Sequence, residues 1–343
     1  MRLLFVKLGS IGDIVHTLPS LAAVRRALPD AHISWVVEER AAEILRGNAL
    51  VDELIEVDTK GLRDFSRGVD EMIADARAQV RGLRSNEFDI AIDFQGLWKS
   101  ALVARVSRAP RRWGFSRAAL REPGSRVLLT DTVKTEPQIN VVRKNLGLAA
   151  GALNIGVPDS GFEFPITTSD EHKREAGEIA ATAGGEFAIL NPGGGWVTKL
   201  WHAEKFGALA DRLWNEMRLA SIVLTGPGED ELAERVRAAT TSGHTTFARP
   251  SLKGLCELAK RASVFVGGDT GPTHIAVAAG APVVGLFGPT EWWRNGSTNP
   301  ADLVVERSDI ACRIDCHRRT CSNWICMDSD VETVARAVGQ RMQ

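Results

Sequence analysis

The sequence predicts an α/β protein built from two doubly wound domains, each a parallel sheet covered by helices on both faces. Three observations carry this. Short apolar runs rich in branched residues alternate with stretches of helical periodicity. The alternation breaks once, through the turn chemistry of Val157-Pro158-Asp159-Ser160-Gly161 and Phe164-Pro165, and then restarts. Glycine-rich polar loops follow several of the predicted strands. At roughly 100–200 residues per domain, a chain of 343 residues accommodates two, with the boundary expected around 158–170.

In chain order, residues 3–6, 33–37, 54–57 and 90–92 read as strands of the first half, and 15–28 and 69–83 as helices. In the second half 187–190, 221–225, 264–266, 283–287 and 303–305 read as strands. Residues 205–216, 230–239, 252–261 and 273–279 read as helices. Ligands of such sheets bind beyond the carboxyl ends of the strands, so the cleft between the domains is the expected site.

With 42 basic and 43 acidic side chains, the composition excludes a strongly basic nucleic-acid binder and a disordered tail. No apolar run approaches the ~20 residues that span a bilayer. The opening Met1-Arg2-Leu3-Leu4-Phe5-Val6-Lys7 is too short for a signal peptide, so the expected location is cytoplasmic.

Four loops could carry chemistry. Lys7-Leu8-Gly9-Ser10-Ile11-Gly12-Asp13 follows the first strand and lets the backbone approach a ligand before a helix begins. Asp13 there reads either as a helix N-cap or as a catalytic carboxylate, with His16 as its neighbour. Gly267-Gly268-Asp269-Thr270-Gly271-Pro272-Thr273-His274 joins a strand to an alanine-rich helix, and helix-end amides suit a phosphate. A tight turn explains its glycines but not its polar set. Asn191-Pro192-Gly193-Gly194-Gly195-Trp196-Val197-Thr198-Lys199 reads as an open, mobile backbone in which Lys199 offers a charge for phosphate. Thr225-Gly226-Pro227-Gly228-Glu229-Asp230 supplies acids that favour a helix start or bind a ribose hydroxyl.

Charge is segregated. From Lys99 to Arg126 eight basic side chains (Lys99, Arg105, Arg108, Arg111, Arg112, Arg117, Arg121, Arg126) face one acid, Glu122. This is either a solvated face or a surface for an anionic substrate or lipid. Cys312, Cys316, Cys321 and Cys326 enclose His317, Arg318 and Arg319. Their spacing only partly matches zinc ligation, leaving a metal site, a redox-labile pair and unlinked thiols as alternatives.

The stretch from Lys7 through Asp13 to Ile14-Val15-His16-Thr17-Leu18-Pro19 resembles the opening of the glycosyltransferase family 9 heptosyltransferases. Gly267 to His274 resembles that family's nucleotide-sugar loop, and Thr198-Lys199-Leu200-Trp201 and Gly285-Leu286-Phe287-Gly288-Pro289-Thr290 fall in the expected order. Trp35-Val36-Val37-Glu38-Glu39 and Asp93-Phe94-Gln95-Gly96-Leu97-Trp98-Lys99-Ser100 look more like heptosyltransferase I. Cys316-His317-Arg318-Arg319-Thr320-Cys321 looks more like type II.

The resemblance implies a GT-B fold, two Rossmann-like domains facing across a cleft. Residues 1–165 would bind the acceptor and 166–343 the nucleotide sugar, with the last helix often crossing back to the first domain. It implies inverting transfer of L-glycero-D-manno-heptose from ADP-heptose to the Kdo of Kdo–lipid A in the lipopolysaccharide inner core, with no metal and no cofactor. The enzyme would act at the cytoplasmic face of the inner membrane, as a peripheral protein with no nucleic-acid partner. Asp13 would be the general base. Lys199, Thr270 and Gly271 would hold the diphosphate, Asp269 the sugar hydroxyls, His274 would lie close to the donor, and Glu229 would meet the ribose. Acceptor contacts are expected from Lys60, Arg63, Arg117 and Arg121. One departure is Asn140, which stands near Arg143 where the family pattern has histidine. Alternatives are heptosyltransferase II, another family 9 enzyme with a different donor or acceptor, a GT-B nucleotide-sugar epimerase, and a non-catalytic nucleotide-binding module.

Overall fold

The computed structural model describes residues 1–58, 80–313 and 316–343. The chain divides into two compact units, Met1–Thr167 and Thr168–Gln343. The first contains β1 (Arg2–Val6), β2 (His32–Glu38), β3 (Glu53–Val57), β4 (Ile90–Asp93), β5 (Arg111–Phe115) and β6 (Asp131–Val133). The second contains β7 (Phe187–Asn191), β8 (Ala220–Leu224), β9 (Thr245–Ala248), β10 (Val264–Gly268), β11 (Val283–Phe287) and β12 (Leu303–Glu306).

Every pairing is parallel. The sheets run β3-β2-β1-β4-β5-β6 and β12-β11-β10-β7-β8-β9, the same order once each is counted from its own first strand. This is the doubly wound α/β class that the alternation predicts. Strand order reverses between β1 and β4 in the first sheet and between β7 and β10 in the second, so in each sheet taken by itself the carboxyl ends of those two strands mark the place where such sheets bind ligands. Strands β7, β8, β10 and β11 are buried along their whole length, which is why they read as continuous apolar runs.

Three strands escape the hydrophobic pattern. Strand β5 opens with Arg111 and Arg112, β6 has three residues, and β9 is the half-buried edge segment Thr245–Ala248. The helix expected over 15–28 begins three residues later, at Leu18, and runs to Ala27, and a separate short helix, Ile11–Val15, precedes it. Pro19 lies in the first turn of Leu18–Ala27, where it has no N–H to continue the short helix. Of the helix expected over 69–83, residues 80–83 are helical and the remainder lies outside the described residues.

Helices Trp98–Val106, Val141–Leu153, Asp170–Ala181 and Val331–Arg341 add to Ala203–Met217, Asp230–Ala238, Leu252–Ala259 and Gly271–Ala278, which fall where the second-half helices are expected. Asn140 is the N-cap of Val141–Leu153, its side chain accepting from the Val142 amide at 3.0 Å. The C-terminal helix places Val334, Ala335, Ala337 and Val338 in the core of the second unit, with Leu190, Leu213 and Val284. Among the described residues no helix is long and apolar enough to cross a membrane.

Candidate functional site

In the first unit the polar residues gather where β1 and β4 end. Lys7, the first residue after β1, is buried. Its ammonium donates to the Phe94 carbonyl at 2.9 Å and lies 3.3 Å from Asp13 Oδ1. Gln95 Oε1 accepts from the Leu8 and Gly9 amides at 3.1 and 3.4 Å, so the loop after β4 holds the loop after β1.

Ser10, not Asp13, is the N-cap of helix Ile11–Val15. Asp13 sits one turn in, and its Oδ2 accepts from the Ser10 amide at 2.9 Å. Capping and chemistry are therefore compatible: one oxygen fixes the helix start, while the side chain stays 36% exposed. Burial pushes the Asp13 carboxyl up, but the Lys7 ammonium, the Ser10 amide and His16 together pull it below the ordinary carboxylate range. It is ionised at neutral pH.

Behind this loop Asp93 is fully buried at the end of β4. Its Oδ1 accepts from the Gln95 and Gly96 amides at 2.9 and 3.1 Å, and its Oδ2 from the Ser100 hydroxyl at 3.0 Å. Burial outweighs those bonds and the Lys7 charge and pushes the carboxyl up to about 6. The native protein thus holds this proton more tightly than an unfolded chain, whose carboxyl titrates at about 3.9. The resulting stabilisation is full below about pH 4 and is lost as pH rises through about 6. Asp93→Asn keeps an acceptor for both amides. Urea melts at pH 4 and pH 7.5 are expected to show the variant gaining about 3 kcal/mol on wild type between the two.

The basic run does not act as one face. Lys99 binds the buried Glu38 carboxylate at 2.7 Å. Arg112 donates to the Leu128 and Ala109 carbonyls, and Arg126 to the Leu129 carbonyl. Arg105, Arg108, Arg111, Arg117 and Arg121 are exposed, Arg111 lying 3.8 Å from Asp131. Lys60 and Arg63 lie outside the described residues.

In the second unit a tighter cluster forms where β7 and β10 end. Asp269 is buried at the start of the loop after β10. Its Oδ2 accepts from Lys199 Nζ at 2.6 Å and Asn295 Nδ2 at 3.1 Å, and its Oδ1 is 3.0 Å from His274 Nε2. Burial pushes this carboxyl up, yet His274 and Lys199 hold it well below the ordinary range. Gly268 allows the arrangement, because a Cβ there would lie 2.9 Å from the Lys199 carbonyl oxygen.

Thr270 is the N-cap of helix Gly271–Ala278, with Pro272 in the first turn. Its hydroxyl accepts from Asn191 Nδ2 at 3.0 Å, and the Thr273 hydroxyl donates to the Gly268 carbonyl at 2.6 Å. The first-turn amides of this helix and the Lys199 ammonium are the groups of this cluster whose chemistry suits an anion.

Glu229 stands on the neighbouring loop, accepting from the Gly226 amide at 2.6 Å. A Cβ on Gly193 would lie 2.3 Å from its carboxylate oxygens, so Gly193 is a packed, buried glycine rather than part of an open loop. Asn295 carries no signal in the spacing, and although Lys7, Asp13 and Gln95 lie in motifs the sequence marks out, the Lys7–Asp13 ion pair and the bonds from Gln95 to the loop after β1 appear only on folding. The five cysteines are free, and among the described residues no group of three or more His, Cys, Asp or Glu side chains is placed to hold a metal ion.

The model of a sequence family described as glycosyltransferase family 9 (heptosyltransferase) matches residues 76–340. The chain is 30% identical to lipopolysaccharide heptosyltransferase 1 of Pseudomonas aeruginosa over 326 residues, 94% of this chain and 88% of that protein. To the Escherichia coli K12 protein of the same name it is 30% identical over 296 residues, 85% and 89% of the two chains. The solved structure of E. coli heptosyltransferase WaaC with ADP-2-deoxy-2-fluoro heptose aligns with a TM-score of 0.73 at 26% identity, covering 89% of this chain and 93% of that one.

Proposed function

This chain belongs to glycosyltransferase family 9, and on that premise we propose that it transfers L-glycero-D-manno-heptose from ADP-heptose to the Kdo of Kdo–lipid A, with inversion. The observation that carries the proposal is the cluster of Lys199, Asp269 and His274 beside the N-cap Thr270, at the strand-order reversal of the second sheet. Its cation and helix-end amides suit a diphosphate. A relative of known structure was solved with an ADP-heptose analogue, which supports the donor. Two relatives named lipopolysaccharide heptosyltransferase 1 support a lipopolysaccharide acceptor, and its Kdo is the finer part of the proposal.

The second unit is then the nucleotide-sugar half. Lys199, Thr270 and Gly271 hold the diphosphate, Asp269 meets the sugar hydroxyls with His274 behind it, and Glu229 takes the ribose. The first unit is the acceptor half. An acceptor hydroxyl oxygen attacks the anomeric carbon as its proton passes to Asp13. The bond from that carbon to the β-phosphate oxygen breaks, and ADP leaves with the electron pair. Asp13 is suited to the role because it is ionised at neutral pH and part-exposed. Lys199 and the helix amides take up the charge that develops on the leaving group. Exposed Arg117 and Arg121 pair with acidic groups of the acceptor, and the enzyme works as a peripheral protein on the cytoplasmic face of the inner membrane.

Two acceptors test the assignment against later heptose additions. With ADP-heptose, the protein is expected to modify Kdo–lipid A and to leave an acceptor that already bears its first heptose unchanged. Modification of the second acceptor alone overturns the assignment and moves the enzyme to heptosyltransferase II.

A further inference from the structure

The donor site is short of positive charge. Lys199 is the cation assigned to the diphosphate, yet its ammonium lies 2.6 Å from the Asp269 carboxylate, and Glu229 adds a second acid on the neighbouring loop. Those three side chains sum to a net negative charge, while a nucleoside diphosphate brings at least two more. The helix-end amides offset part of that charge, and a further cation within reach of the Lys199 loop would offset more.

The cysteine-bearing segment near the C-terminus supplies one. The Lys199 ammonium stands 4.4 Å from the centre of the Trp196 ring, and the Arg319 guanidinium stands 5.1 Å from the centre of that same ring. The segment that carries Arg319 is tied to the Lys199 loop. The Thr198 hydroxyl donates to the Arg318 carbonyl at 2.6 Å, and the Trp324 indole donates to the Thr198 carbonyl at 3.1 Å. The His317 amide donates to the Pro289 carbonyl at 3.0 Å, securing the segment on its other side. Arg319 itself is exposed, so its guanidinium is accessible to a ligand.

We propose that Arg319 is a donor-binding residue that acts with Lys199 on the diphosphate of the nucleotide sugar, both cations positioned on Trp196. The inference rests on the donor reading of this site. A guanidinium binds phosphate oxygens in pairs, whereas the ammonium of Lys199 is shared with Asp269. The segment therefore does more than pack: it carries the charge that the Lys199–Asp269 pair does not provide.

Titration of wild type, Arg319→Ala and Arg319→Lys with ADP and with adenosine tests this. The alanine variant is expected to bind ADP about 10-fold more weakly and adenosine as wild type does, with lysine restoring part of the loss. Unchanged ADP affinity in Arg319→Ala overturns the inference alone. Equal losses for ADP and adenosine also overturn it, since they mark a purely structural segment. A wild-type protein that binds no ADP overturns the donor reading together with the inference.

Discussion

Asp13→Asn is expected to lower the transfer rate by about 10²- to 10⁴-fold, the range of a lost general base, while the protein stays folded and binds ADP as before. The substitution is nearly isosteric. The Asn carbonyl can still accept from the Ser10 amide, so the start of helix Ile11–Val15 survives, at a cost of about 1 kcal/mol or less. What is lost is the charge. A capping role alone predicts the opposite pattern, a small loss of stability with turnover unchanged, and rates beside urea melts separate the two. Lys7→Met is the companion. The base works only when ionised, so the rate falls as pH drops through its pKa. Lys7 is the nearest cation holding that pKa down. Removing it lets burial dominate, and the acid limb of the rate profile is expected to move to higher pH.

Lys199→Met is expected to weaken ADP binding by about 100-fold and to destabilise the second unit. The two effects have different causes. The first is loss of a cation against phosphate. The second comes from Asp269, which is buried and loses its 2.6 Å partner; breaking one side of a buried pair typically costs about 3–5 kcal/mol. His274 and Asn295 remain on the carboxylate and moderate that cost. The double variant Lys199→Met/Asp269→Asn separates them. It removes the unpaired charge, so most of the stability returns on a urea melt, yet ADP binding stays weak in titration. Recovery of both properties would mean that Lys199 serves only to neutralise Asp269.

Much of this was legible before folding. Strands buried on both faces, β7 and β11 for example, read directly as apolar runs, because a parallel sheet hides both sides of each strand. Strands β5 and β9 did not, since Arg111, Arg112, Thr245 and Thr246 satisfy no periodicity that depends on burial. The loop from Gly267 to His274 announced itself because its polar residues exceed what a turn needs. Pairings between distant residues were silent. Asn295 reaches Asp269 across 26 positions, and Trp324 reaches Thr198 across 126. Nothing in either local sequence encodes the partner. The basic run was legible as charge but not as structure: Arg112 and Arg126 turn to main-chain carbonyls and Lys99 to Glu38, leaving Arg105, Arg108, Arg111, Arg117 and Arg121 exposed.

Heptosyl transfer is read straight from the mass of the acceptor. Purified protein is incubated with ADP-heptose and Kdo–lipid A, and the lipid is weighed by mass spectrometry. The lipid is expected to gain the mass of one heptose residue, with release of ADP. A folded protein that binds ADP but leaves the lipid mass unchanged would contradict this transfer, and would direct the same site to a different sugar or acceptor.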